Sequence, residues 1–176
     1  MAGSRRDRHQ NTKDFIRIWC DKNKFTVDDV DWETASRPGR HWNCFGFVVG
    51  RSRWYQPPII VDGKRRNPTD YWPEGISTAT TIDAFVDAAK IEGFDVSSNG
   101  EWEEGFEIIV LYYTEQDREF THAARLKSPG IWESKLGPLS DIEHPLDGVD
   151  NVHYGTGRIF MKRPNRAPPI RIGGST

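Results

Sequence analysis

The sequence predicts an α+β fold, and three observations carry that expectation. Residues 81–92 (TIDAFVDAAKIE) place Ile82, Phe85, Val86 and Ala89 on one stripe at helical spacing. Residues 106–113 (FEIIVLYY) form a β-rich run almost free of polar breaks, as a central strand does. Residues 119–126 and 131–136 flank Ser128-Pro129-Gly130, a turn signal between two extended runs. Helical signals come first and an antiparallel meander follows, which is the α+β pattern.

Composition bounds the function classes. The chain has 176 residues, enough for one domain with a core that needs no disulfide or metal staple. Hydrophobic residues make up only 36%, but aromatics make up 12%, which argues against disorder of the whole chain. The 24 Lys and Arg against 26 Asp and Glu give a net charge of −2, which speaks against a general nucleic-acid binder. No apolar run is long enough for a membrane span. The first residues are charged and polar without an apolar h-region, so the expected location is the cytoplasm, or export without an N-terminal signal peptide. Cys20 and Cys44 are too few for a disulfide framework and are expected as free thiols. There is no P-loop, glycine-rich phosphate fingerprint or cysteine-rich metal pattern, so neither a cofactor nor a metal is expected.

The expected organisation is a disordered lead over 1–13, one folded domain over 14–163 and a flexible tail over 164–176. Within the domain, 14–20 (DFIRIWC) fits a short helix and an opening strand equally well. A polar stretch with Pro38-Gly39 follows. Residues 43–50 (NCFGFVVG) read as a short apolar helix with Asn43 as its cap and Gly50 as its stop; two glycines weaken it, so it needs tertiary support. Residues 51–75, with four prolines and Asp70-Tyr71-Trp72-Pro73, read as an irregular aromatic loop. Thr80 or Thr81 caps the 81–92 helix and Gly93 ends it. After the meander, 141–146 is expected as a short helix or loop, and 157–162 (GRIFMK) as a closing strand.

Cys44 is the first candidate for chemistry. At a helix N-terminus, partial positive charge and free N–H groups favour a thiolate and can stabilise an oxyanion. A small buried packing cysteine is the competing reading. A nucleophilic thiol needs a base, and His122 sits on the 119–126 strand, followed by small residues that leave its ring room. A hairpin turning at 128–130 puts Ala124 opposite Ser134 and His122 near Leu136. Ser134 is then the nearest polar group on the face of His122; a one-residue slip substitutes Glu133 or Lys135. Asn43, Trp54, Tyr71 and Trp72 are candidates for lining a substrate cleft, and packing of helix against sheet is the alternative for the aromatics. His144 lies near Asp141 and Glu143, but this local cluster falls short of a convergent metal set, and a structural or surface role is expected. His41 is expected to be a solvated loop residue.

The strings Asn43-Cys44-Phe45-Gly46-Phe47, Thr121-His122-Ala123-Ala124-Arg125 and Trp132-Glu133-Ser134-Lys135-Leu136-Gly137 occur in the order helix, strand, next strand. That order resembles the papain-like cysteine hydrolase fold in its compact bacterial NlpC/P60-like form. The same strings, over roughly 32–163, are similar to a group of bacterial proteins grouped as a domain of unknown function. The resemblance implies a helix bearing Cys44 packed on an antiparallel sheet, with Cys44, His122 and Ser134 as catalytic residues. It implies acyl transfer on a peptide or other amide: hydrolysis, deamidation or transfer to an amine. A non-catalytic binding, adaptor or immunity-type protein on the same fold is the alternative, with a protein partner. Ser134 departs from the usual third residue of that fold, which is His, Asn or Gln. The long segment between Cys44 and His122 implies an extra wall or lid.

Overall fold

A computed structural model describes Asp14 and residues 42–137, 141–150 and 154–166. The expected element at 14–20 beyond Asp14, Cys20 within it, His41 and the polar stretch before Trp42 lie outside the described residues. Among those residues, α1 (Cys44–Val48) leads to a small hairpin of β1 (Ile60–Val61) and β2 (Lys64–Arg65). Then come α2 (Ile82–Ile91), β3 (Asp95–Ser97), β4 (Phe106–Tyr113), β5 (Phe120–Ser128), β6 (Ile131–Lys135), β7 (Asp141–His144) and β8 (Gly157–Pro164). The last six strands form one antiparallel sheet in the order β3-β8-β4-β5-β6-β7. The fold is therefore α+β, with few helices and an antiparallel sheet.

The sheet has two apolar faces. Ile109, Leu111, Ala123 and Met161 meet α1 and α2 through Phe45, Val48, Ile82 and Phe85. Ile108, Val110, Tyr112, Ala124, Trp132 and Ile142 face the other way, against Leu146 and Val149. Both faces are covered, which is why 106–113 carries apolar residues at successive positions rather than alternating ones.

α1 is only five residues long and survives by tertiary support. The Asn43 carboxamide oxygen accepts from the Gly46 N–H at 3.0 Å, and its Nδ2 donates to the Tyr55 carbonyl at 2.6 Å. Phe45 is fully buried among the rings of Tyr55, Phe85 and Phe120. Gly46 is there because the chain returns against it: a Cβ at that position would stand 2.1 Å from the Arg53 carbonyl oxygen. The stripe expected on α2 is buried at Ile82, Phe85, Val86 and Ala89, while Ile91 points to solvent.

Three expectations need correction. Residues 141–144 are a strand, not a helix or loop: β7 pairs with β6, Trp132 opposite His144 and Ser134 opposite Ile142. The two-residue period of Asp-Ile-Glu-His is masked because polar residues stand on both faces. The 51–75 segment is not wholly irregular. It holds the β1–β2 hairpin, whose turn residues Asp62 and Gly63 both have positive φ, as a tight hairpin turn of the right twist requires. The closing strand reaches Pro164, where a tail was expected, and it does not extend the meander but inserts between β3 and β4.

Arg163, on β8, is 4% exposed and joins four elements. Its Nε and Nη2 donate to the Glu107 carboxylate on β4. Nη1 donates to the Glu92 carbonyl at the end of α2 at 2.8 Å, and Nη2 to the Val49 carbonyl at the end of α1 at 3.2 Å. The two helix C-termini thus receive the positive charge that their exposed carbonyls favour. Arg163→Met is expected to lower stability by about 3 kcal/mol, because one change strips buried carbonyls and a carboxylate of their donors; urea unfolding measures it. Gly46→Ala is expected to cost about 1–3 kcal/mol through displacement of the Arg53 backbone, read as a fall in Tm with the pairing of the main sheet retained by circular dichroism.

Candidate functional site

Cys44 is the first helical residue of α1, directly after the Asn43 cap. Its side chain is partly exposed at the residue level and packs at the margin of the helix-side core. Burial of the sulfur pushes the thiol up to about 11, against the opposing pull of the backbone N–H groups of Ala123, Phe45 and Cys44 itself. The helix start therefore works in the direction expected from the sequence, but desolvation is the larger effect. The thiol is protonated at neutral pH.

His122 stands opposite Tyr112 on β4, and Ala124 opposite Ser134 on β6, so the expected hairpin register is present. His122 therefore shares the second face of the sheet with Tyr112 and Ala124, away from α1. A β-bulge sets Phe120 on the opposite face. Tyr113 pairs with Phe120 and Tyr112 with His122, which leaves Thr121 without an opposite residue. Phe120 consequently packs on the helix side, stacked on Phe85 at 3.7 Å, while His122 two residues later faces the other way. Among the described residues no hydrogen bond links the Cys44 thiol to the His122 ring.

The surroundings of His122 are a buried polar chamber. Its ring is 2% exposed, stacks on Tyr154 at 4.3 Å and lies 6.1 Å from the Tyr112 ring. Its Nε2 is buried with no hydrogen-bond partner among the described residues. Burial, with a smaller contribution from His144, holds its pKa down at about 3. His144 faces the same chamber from β7, and Ser134 belongs to it rather than to His122: Ser134 Oγ and His144 Nε2 are 2.9 Å apart. His144 Nδ1 lies 2.8 Å from the Pro145 carbonyl, an acceptor only, so Nδ1 carries the proton and the Ser134 hydroxyl donates to Nε2. Burial lowers the His144 pKa to about 4. Of the structural or surface role expected for His144, its 2% exposure leaves the structural one.

Tyr154 links the two halves. The Thr121 hydroxyl donates to its carbonyl at 2.6 Å, and its ring lies on His122. Burial raises its phenol first, and the field of Cys44 adds to that, so the thiol lies within electrostatic reach of the ring covering His122. The sequence offered no signal for Tyr154 beyond its aromatic character. His144 was visible, but only as part of an acidic string.

The remaining candidates are placed as follows. The Asn43 carboxamide is engaged by Gly46 and Tyr55. Tyr71 packs edge-on against Tyr55 at 4.9 Å, with the Arg53 guanidinium over its ring. Trp72 packs against Phe85 and donates from Nε1 to the Ser77 carbonyl at 3.0 Å, as a core residue does. Trp54 is half-buried. Among the described residues no three His, Cys, Asp or Glu side chains converge on a metal position. No helix among them is long and apolar enough to cross a membrane.

A family model for a domain of unknown function, DUF7689, matches residues 33–162, most of the chain and all of the main sheet except the end of β8. The chain belongs to that family. No curated protein matches it, and no solved structure does. The DUF7689 match takes in Cys44, His122, Ser134 and His144 together, so both halves of the site belong to the family's domain.

Two buried imidazoles with pKa values held down by burial predict that this DUF7689 domain loses stability in acid. In the unfolded chain each titrates near 6.5, whereas in the fold each stays neutral to about 3–4. Between those limits the unfolded state binds more protons, so stability is full above the unfolded pKa and is lost as pH falls below it. The expected loss approaches about 1.4 kcal/mol per pH unit per imidazole. Urea midpoints measured from pH 7 to pH 4 should fall, and His122→Leu should flatten the slope; an unchanged slope in that variant would contradict buried neutrality of His122.

Proposed function

We propose that this DUF7689 chain acts as a non-catalytic binding or adaptor module, with a peptide or protein as its partner and Cys44 as a packing residue. One observation carries the reading: His122 pairs with Tyr112 and alternates with Ala123, which puts it on the sheet face opposite α1, so thiol and base approach β5 from different sides. Both are also neutral there, the thiol by a raised pKa and the imidazole by a lowered one. An activated cysteine needs the reverse, a thiolate or a base within hydrogen-bond reach.

A second reading is favoured by a specific feature. His122 Nε2 is buried without a partner among the described residues, which carries a desolvation cost of about 1–3 kcal/mol, and such groups occur disproportionately where a ligand or reaction uses them. The Cys44 sulfur lies against the N–H of Ala123, one residue along. On this reading the chain is a cysteine hydrolase or acyltransferase of papain-like, NlpC/P60-like architecture acting on amide bonds. Its His122 turns toward Cys44 when substrate binds and shuttles the proton between thiol and leaving amine.

Thiol labelling separates the two. With iodoacetamide, the binding reading expects Cys44 to react slowly at pH 6–7, to speed up only toward its raised pKa, and to be indifferent to His122→Ala. Fast labelling at pH 6–7 that falls about tenfold or more in His122→Ala supports the hydrolase instead. Mass spectrometry after proteolysis reports Cys44 separately from Cys20.

A further inference from the structure

We propose that the cleft beside the C-terminal end of α1 binds a small organic anion, with its phosphate or carboxylate head on Arg125 and Arg166 and its planar apolar body on Trp102. Neither Cys44 nor His122 lines this cleft, so the inference goes beyond either reading of that pair.

The cleft has a volume of about 460 Å³, within the range of small-ligand sites. Its walls come from the end of α1, the start of β4, the end of β5 and the chain just after β8. Four cationic side chains line it, Arg125, Lys127, Arg163 and Arg166, each paired with one carboxylate, Glu133, Glu143, Glu107 and Glu92 respectively. What attracts an anion here is therefore the donors these pairs leave unused, not net charge. A second cleft of about 340 Å³ adjoins it and shares Gly50 and Arg125.

The two guanidiniums are held in place without being saturated. Arg125 lies 4.2 Å over the Phe47 ring and uses Nε and one Nη on Glu133. Arg166 uses one Nη on the Val49 carbonyl and the Glu92 carboxylate. Each side chain is 43% exposed, and a guanidinium has five N–H donors, so each retains donors for an incoming oxyanion. Trp102, on the same cleft, is 52% exposed and among the large hydrophobic side chains that stand open to solvent. An indole face offers stacking to a planar group, and cations beside it suit a ligand that is flat at one end and charged at the other.

The test titrates the full chain with phenyl phosphate, phenylacetate, inorganic phosphate and benzyl alcohol at low ionic strength, by calorimetry and tryptophan fluorescence. Saturable one-to-one binding is expected for phenyl phosphate or phenylacetate, about tenfold or more tighter than for inorganic phosphate or benzyl alcohol. Whichever of the two anions binds better names the head group. Trp102→Ala and Arg125→Gln should each weaken it about tenfold, and Cys44→Ala should leave it unchanged. Arg166→Gln replaces Arg125→Gln if loss of the Glu133 pair unfolds the latter, and exposed Trp102 is replaceable without disturbing the core. Absence of saturable binding of both anions overturns the proposal, as does equal binding of benzyl alcohol or full affinity in Trp102→Ala.

Discussion

The Arg163–Glu92 network is the constraint on which the rest of the molecule depends. It works with the Asn43 cap and buried Phe45 to hold a five-residue helix carrying Cys44 to the sheet, since helices that short are unstable alone. Arg163 gathers the carbonyl ends of both helices and the Glu107 carboxylate onto one buried cation. Glu92 completes the clamp from the other side. The Tyr55 hydroxyl donates to its carboxylate at 2.5 Å and Arg51 Nε at 2.8 Å. Burial disfavours the Glu92 charge, but these donors outweigh it and hold the carboxyl below its ordinary value. The charges are compensated because each carries several hydrogen bonds, the condition under which a buried ion pair is tolerated.

The clamp sets where α1 ends; the bulge sets what its beginning can meet. Asn43 and Phe45 pin the first turn against Tyr55 and Phe120, which fixes Cys44 beside Ala123. An unbroken β5 would place Phe120 on the face of His122 and Ala124, away from α1. The unpaired Thr121 instead brings Phe120 to the helices, where it stacks on Phe85. His122 keeps the face it shares with Tyr112 and Ala124, beside His144 and Ser134.

Much of the architecture was legible because it rests on periodicity. The α2 stripe, the apolar run of β4 and the 124–134 pairing follow from side chains that recur at a fixed spacing, and each appears where the pattern puts it. β7 was not legible because polar Asp141 and His144 occupy buried positions, where hydrophobicity gives no signal. The insertion of β8 between β3 and β4 was not legible because strand order is decided by long-range pairing, and nothing local in Gly157–Pro164 distinguishes a central strand from an edge one. For the site, residue types were legible and orientation was not. Ser134 was correctly placed on the face of His122, yet it bonds to His144, which stands one strand farther on.

The facing of His122 bears on how chemistry at β5 is possible at all. A thiol and an imidazole on opposite faces share no proton, whatever their order along the chain, so the helix–strand–strand order of Cys44, His122 and Ser134 is a necessary feature of a papain-like site and not a sufficient one. Sufficiency depends on which face His122 takes, and its pairing with Tyr112 sets that face. The preceding residue, Thr121, is held through its hydroxyl by the Tyr154 carbonyl. Tyr154 in turn covers His122 and feels Cys44. This tyrosine is therefore one place where the surroundings of the two groups meet, the backbone of Ala123 being another. Proton transfer between them would need the His122 ring to leave its stack on Tyr154 and its buried face, a cost set by that packing and not by the intrinsic reactivity of a cysteine at a helix start.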